Sequence, residues 1–143
     1  MRLHEQLLVE SHLGARLLAD ASATASFVDI VGAVGALEEE LGHTGFLGTI
    51  HASRRFAAQA QDQGLIIRSG LLLKTPLGHT WAFGGGYGST LGDTLVATGP
   101  VTVWRDAVTT RSTLAPLQNV IAAVAERSIV VGYEVAVAAA TVS

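Results

Sequence analysis

Apolar residues recur along this chain in two periods, first helical and then strand-like. In residues 3–19, Leu3, Leu7, Leu8, Leu17 and Leu18 mark one side of a short amphipathic helix that Gly14 weakens in its middle. Residues 20–25 are small and polar and read as a linker. Ser26 then starts a second helix, with Asp29 as the acidic half of a capping box. Ile30, Val34, Leu37 and Leu41 line its apolar face, Glu38, Glu39 and Glu40 face water, and Gly42 is the expected stop. Three consecutive acids point in three directions on a helix, which is a solvated face and not a metal site.

Beyond residue 44 the period shortens. Residues 45–51 read as a strand, and 54–63 as a third helix capped by Ser53 and closed by Gly64. Two apolar runs around Ser69-Gly70 predict a hairpin over 65–74, followed by the turn Thr75-Pro76-Leu77-Gly78. Residues 80–83 form a strand with Trp81 and Phe83 on one side, and 84–88 (Gly-Gly-Gly-Tyr-Gly) a mobile surface loop. Strands are expected at 94–98 and 101–108, broken by Gly99-Pro100, and 111–116 reads as a polar bridge. Helices come first and strands after, so the fold class is α+β.

The longest apolar run, 119–137, is interrupted by Glu126 and Arg127. A membrane span needs about 20 apolar residues with few or no charges, whereas this run also holds Glu134, and each such group costs roughly 2.5–3.5 kcal/mol near a bilayer centre. The alternate positions Ile121, Ala123, Ala125, Ile129, Val131, Tyr133, Val135 and Val137 are apolar, and β-branched or aromatic residues dominate from Ile129 onward. That favours buried strands, with a helix also fitting 119–125.

Composition sharpens the functional class. Of the 143 residues 49% are hydrophobic and 15% charged, against about 25% charged in ordinary soluble domains. So sparse a charged coat points to a surface covered by other subunits. A net charge of −3 with scattered Lys and Arg argues against a phosphate-gripping nucleic-acid binder. Absence of cysteine removes disulfides, thiolate metal sites and thiol nucleophiles. The N-terminus, with acids early and no apolar core, is unlike a secretory signal, so synthesis in the cytoplasm is expected.

No motif for catalysis emerges. Lys74-Thr75 lacks the glycine context of a phosphate-binding P-loop. Gly86, Tyr87 and Gly88 begin a dinucleotide fingerprint, but Leu91 stands where its third glycine belongs. None of the serines sits in a nucleophile elbow. His4, His12, His43, His51 and His79 lack zincin spacing and read as surface or hydrogen-bonded imidazoles. The expectation is therefore a protein that is not an enzyme, with no catalytic, cofactor-binding or metal residues and no cofactor. A small hydrolase using the glycine loop with His43, His51 or His79 is the enzymatic alternative.

One resemblance rests on the order of several short motifs. Thr49-Ile50-His51-Ala52-Ser53-Arg54-Arg55 leads into a helix, then come Thr75-Pro76-Leu77-Gly78 and the glycine loop. After these follow Ala97-Thr98-Gly99-Pro100-Val101-Thr102-Val103, Asn119, and Ala125-Glu126-Arg127 with a terminal apolar run. This order resembles the C-terminal part of tailed-phage major capsid proteins of the Hong Kong 97 type, whose fold encapsulin nanocompartments share, over roughly residues 26–137. The resemblance implies a short helix and linker at 1–25, an axial-type α+β domain at 26–108, and returning strands of a partial peripheral domain at 109–143. The family's N-terminal arm, extended loop and most of its spine helix have no counterpart, which implies a shortened, minor or accessory capsid protein.

The implied function is that of a structural subunit of a bacteriophage icosahedral capsid, assembled in the host cytoplasm and located in the virion. Its partners would be other capsid subunits, with packaged DNA met only indirectly and no membrane. An encapsulin-like or decoration component is the alternative. Asn119, Glu126 and Arg127 are the candidate assembly contacts. Neighbours on a strand point to opposite faces, so Glu126 and Arg127 need separate partners, and an unpaired buried charge is costly.

Overall fold

Alternation along a few short strands sets the architecture. The computed structural model describes residues 2–21, 24–45, 47–105, 109–115, 120–126, 129–133 and 136–142. Helix α1 (Arg2–Asp20) is followed by strand β1 (Thr24–Phe27), helix α2 (Ile30–Thr44), β2 (Thr49–Ser53) and helix α3 (Arg55–Asp62). Then come β3 (Ile67–Ser69), β4 (Leu72–Lys74), β5 (Thr80–Gly84), a 3-10 turn (Gly85–Gly88) and β6 (Thr94–Thr98). The chain continues through β7 (Val101–Arg105), β8 (Thr109–Ala115), β9 (Val120–Glu126), β10 (Ile129–Tyr133) and β11 (Ala136–Val142).

The chain divides into two compact units, Met1–Val101 with Tyr133–Ser143, and Thr102–Gly132. The first is built on a seven-stranded sheet in the order β1-β11-β6-β2-β5-β4-β3. It is mixed: β1 with β11 and β2 with β5 are parallel, while β11–β6, β6–β2, β5–β4 and β4–β3 are antiparallel. The fold class is α+β, as the order of periods along the chain predicts. In the second unit β7 pairs with β10 and β8 with β9, the latter in unbroken register from Thr109↔Glu126 to Ala115↔Val120. Of the apolar run 119–137, residues 120–126 lie in β9, 129–133 in β10, and 136–137 open β11, which belongs to the seven-stranded sheet.

Side chains of successive strand residues leave opposite faces of a sheet. Ile50 and Ala52 of β2, Leu95 and Ala97 of β6, and Ala140 of β11 join Ile30, Val34, Leu37 and Leu41 of α2, with Phe56 and Ala60 of α3, in one core. Trp81 of β5 completes it, donating its indole N–H to the Leu65 carbonyl at 2.9 Å and stacking on Phe83 with ring centroids 4.8 Å apart. Across the sheet, Val96 and Ala139 meet Leu17, Tyr87 and Leu91 in a smaller core beneath α1. Helices α2 and α3 thus cover one face, and α1 with the 3-10 turn covers the other.

Several local expectations are corrected. Ser26 does not begin α2, because it lies in β1, opposite Thr141 of β11. Asp29 is itself the N-cap, its carboxylate accepting from the Gly32 N–H at 2.9 Å. The helix also runs past Gly42 to Thr44, because the left-handed residue at its end is Gly45, with φ 78°, whose N–H reaches back to the Gly42 carbonyl. Ser53 ends β2 and does not cap α3, whose N-cap Arg54 makes no side-chain capping bond. Most of the expected polar bridge is strand β8, whose threonines suit a strand paired with β9.

The glycine run is not a mobile surface loop. Residues Gly85–Gly88 form the 3-10 turn, with Gly86 and Tyr87 buried against α1. A Cβ on Gly86 would lie 2.7 Å from the Glu10 Cβ and 2.9 Å from the Ser11 nitrogen, and one on Gly14 would run into the Thr90 hydroxyl. These glycines let helix and turn approach closely, which sequence alone reads as flexibility.

Candidate functional site

One cluster of buried polar side chains in the first unit is centred on His51, with Tyr87 and Thr98 as its partners. Strand β2 alternates its side chains, so Ile50 and Ala52 enter the α2 face while His51 points beneath α1. There the imidazole is 1% exposed, with Nδ1 3.1 Å from the Tyr87 hydroxyl and Nε2 2.9 Å from the Thr98 Oγ1. Thr98 donates its hydroxyl proton to the Gly99 carbonyl at 2.9 Å, so its oxygen accepts from His51 Nε2–H. That leaves Nδ1 unprotonated, to accept from Tyr87. Donor and acceptor are matched at each link, and the ring is neutral.

Electrostatics agrees with that assignment. Burial lowers the His51 pKa from 6.5 to about 4, and burial, followed by the nearby charge of Glu10, pushes the Tyr87 phenol well up. Glu10 Oε2 accepts from the Gly86 N–H at 2.7 Å and so pins α1 to the turn that carries Tyr87. The arrangement ties β2, β6, the 3-10 turn and α1 together. Both ring nitrogens are engaged and the phenol holds its proton, so the cluster offers neither a free base nor an ionised nucleophile near neutral pH.

The other histidines lie in separate surroundings. His79 is buried and its Nδ1 accepts from the Gly48 N–H at 3.1 Å, joining the 75–79 turn to the start of β2. His43 is exposed near the end of α2, 3.9 Å from Glu40. None of these hydrogen bonds links one histidine to another. Among the described residues no group of three or more His, Asp or Glu side chains is placed to hold a metal ion, and no helix is long and apolar enough to cross a membrane.

The outer surface is more informative. Val28, between β1 and α2, is 89% exposed, Leu71 at the β3–β4 turn 103%, and Leu77 in the following turn 65%. Leu47, Ile67 and Leu72 are exposed as well. Scattered exposed apolar residues are ordinary, but these occur on a chain short of charge. Ile67, Leu71 and Leu72 share one hairpin at the edge of the sheet.

A cleft of about 560 Å³ opens where β1, β11 and β2 end and β6 begins. Val28, Asp29, Phe56, Gln59, Asp62 and Val142 line it, together with Arg55 and Asp93, which form an ion pair. Nothing in the sequence brings Arg55 and Asp93 together, and only the antiparallel pairing of β2 with β6 sets the segments that carry them side by side. By contrast, the histidine between Ile50 and Ala52 is a local signal: continuing the strand past His51 to Ser53, where β2 ends, turns the imidazole to the face opposite those two.

Of the candidate assembly contacts, Glu126 closes β9 opposite Thr109, while Asn119 and Arg127 lie outside the described residues. No protein-family profile, curated protein or solved structure was found to match the chain.

Proposed function

We propose that the chain is a structural subunit of a bacteriophage icosahedral shell of the Hong Kong 97 type, working through contacts with other capsid subunits and not through catalysis. The order of motifs from Thr49 to Arg127 carries this reading. Three features of the structure support it. The chain leaves the seven-stranded sheet after β6, forms the separate strand pairs β7–β10 and β8–β9, and returns as β11 beside β6, an excursion compatible with axial and peripheral domains. Strand β9 is apolar at every position from Val120 to Ala125 although its ladder is two-stranded, and such ladders are marginal in water without further cover. Exposed apolar side chains on a charge-poor chain suit a protein that buries much of its surface against neighbours.

The polar cluster around His51 is better suited to fixing α1 than to chemistry, which favours the structural reading over a hydrolase. Electron microscopy and sizing of the protein, alone and co-expressed with a full-length capsid protein, test the proposal. Incorporation into particles is expected, with fewer particles from Arg127→Met. A protein that remains monomeric and is excluded from every particle overturns it.

A further inference from the structure

The two outlying surfaces of the first unit are complementary. One is the β3–β4 hairpin, residues 67–74, at the edge of the sheet. It presents Ile67, Leu71 and Leu72 to solvent and carries the cations Arg68 and Lys74 without any acid. Its edge strand is three residues long and holds a charge, features that discourage indiscriminate strand pairing while leaving the apolar turn available. The other surface is the cleft near the ends of β1 and β11, on the other side of the strand order. Phe56, Ile30 and Val142 give it apolar lining, and Val28 stands beside them almost wholly exposed. Asp93 is paired with Arg55, whereas Asp62 and Asp29, the N-cap of α2, have no ion-pair partner among the described residues.

We propose that the β3–β4 hairpin of one copy seats in the aspartate-lined cleft of a second copy, Leu71 and Leu72 entering the cleft while Arg68 and Lys74 face Asp62 and Asp29. The inference deepens the shell-subunit reading and rests on it for the second copy. Opposite net charge selects this occupant: an apolar hairpin tip flanked by two cations matches a mixed cleft whose three aspartates outnumber its one cation. Because hairpin and cleft occupy different parts of the sheet, a single seating leaves a free cleft on one copy and a free hairpin on the other. Those remaining surfaces either seat on each other, closing a two-fold dimer, or engage further copies in a ring or an open chain.

The absence of cysteine makes a direct test available. Leu71→Cys and Gln63→Cys place single thiols on the hairpin and at the rim of the cleft, both exposed positions where folding is expected to be retained and is checked by circular dichroism. Full chains are mixed under mild oxidation at concentrations where sedimentation shows association. Disulfide between unlike chains, in clear excess over like pairs, is expected. Equal or greater linkage of Leu71→Cys to itself shows hairpin lying against hairpin and overturns the proposal. No linkage from an associating protein overturns this contact but leaves the shell reading standing, while a protein that neither associates nor enters particles overturns both. With charges altered, Arg68→Asp is expected to slow unlike-pair linkage about two- to fivefold, and Asp62→Arg on the cleft-bearing chain to restore it. Failure of the reversed pair to recover rules out Arg68 facing Asp62.

Discussion

The two faces of the seven-stranded sheet are held by different physics. Beneath α2 and α3 the contacts are those of aliphatic and aromatic side chains, with Leu37, Leu41 and Ile50 fully buried. Beneath α1 the apolar cluster is smaller, and it is supplemented by the His51–Tyr87–Thr98 hydrogen bonds, the Glu10–Gly86 bond and two glycine close approaches. Apolar burial is non-directional and indifferent to pH. A buried polar network demands one geometry and one protonation state, and is costly when either is disturbed. The α2 face therefore supplies bulk stability, and the α1 face fixes where a helix sits.

The largest effect expected from breaking this contrast is on the α2 face. Leu37→Ala removes a fully buried side chain from the centre of the larger core and should cost about 2–5 kcal/mol. Chemical denaturation should show that loss equally at pH 7 and pH 5. A loss confined to the lower pH would contradict the division.

The α1 face should respond to acid. The folded state holds His51 at a pKa of about 4, whereas in the unfolded chain it titrates near 6.5. As pH falls below 6.5 the unfolded state takes up the proton first, so this contribution to stability is complete above that value and is lost on the way down to about 4. At about 1.4 kcal/mol per pH unit, the loss between pH 7 and pH 5 is about 2 kcal/mol. Unfolding of wild type and His51→Gln at both pH values isolates this term; parallel behaviour of the two proteins would show that His51 is not buried neutral.

A smaller effect separates position from stability. Gly86→Ala places a methyl group against Glu10 and Ser11, and overpacking of this kind costs about 1–3 kcal/mol. Hydrogen exchange should speed up in α1 while α2 stays protected. Uniform acceleration across both helices would mean that the two faces unfold as one.

Legibility followed the range of the interactions. The α2 face was readable from Ile30, Val34, Leu37 and Leu41, because helical periodicity is a local property and all four are buried. Trp81 and Phe83 on one side of β5 followed from strand alternation in the same way. The start of α2 is ambiguous in the sequence because Ser26 and Asp29 both carry capping chemistry, and pairing of β1 with the distant β11 decides between them. The glycine turn is opaque for a related reason: glycine signals freedom in a sequence, and only the approach of α1 shows that its small size is what matters there. In the cleft Asp29, Asp62 and Asp93 carried no common signal, since three separate segments bring them together.

The sequence by itself determined that this is an α+β protein short of charge, and which residues of α2 and β5 turn inward, because periodicity and composition are carried by neighbours along the chain. Tertiary structure decided the rest: that β1 and β11 lie side by side, that His51 finds Tyr87 and Thr98, and that an acidic cleft and a basic apolar hairpin stand apart on one sheet. Those outcomes depend on strand order and close approach between distant segments, and neither leaves a periodic trace in the residues that make them.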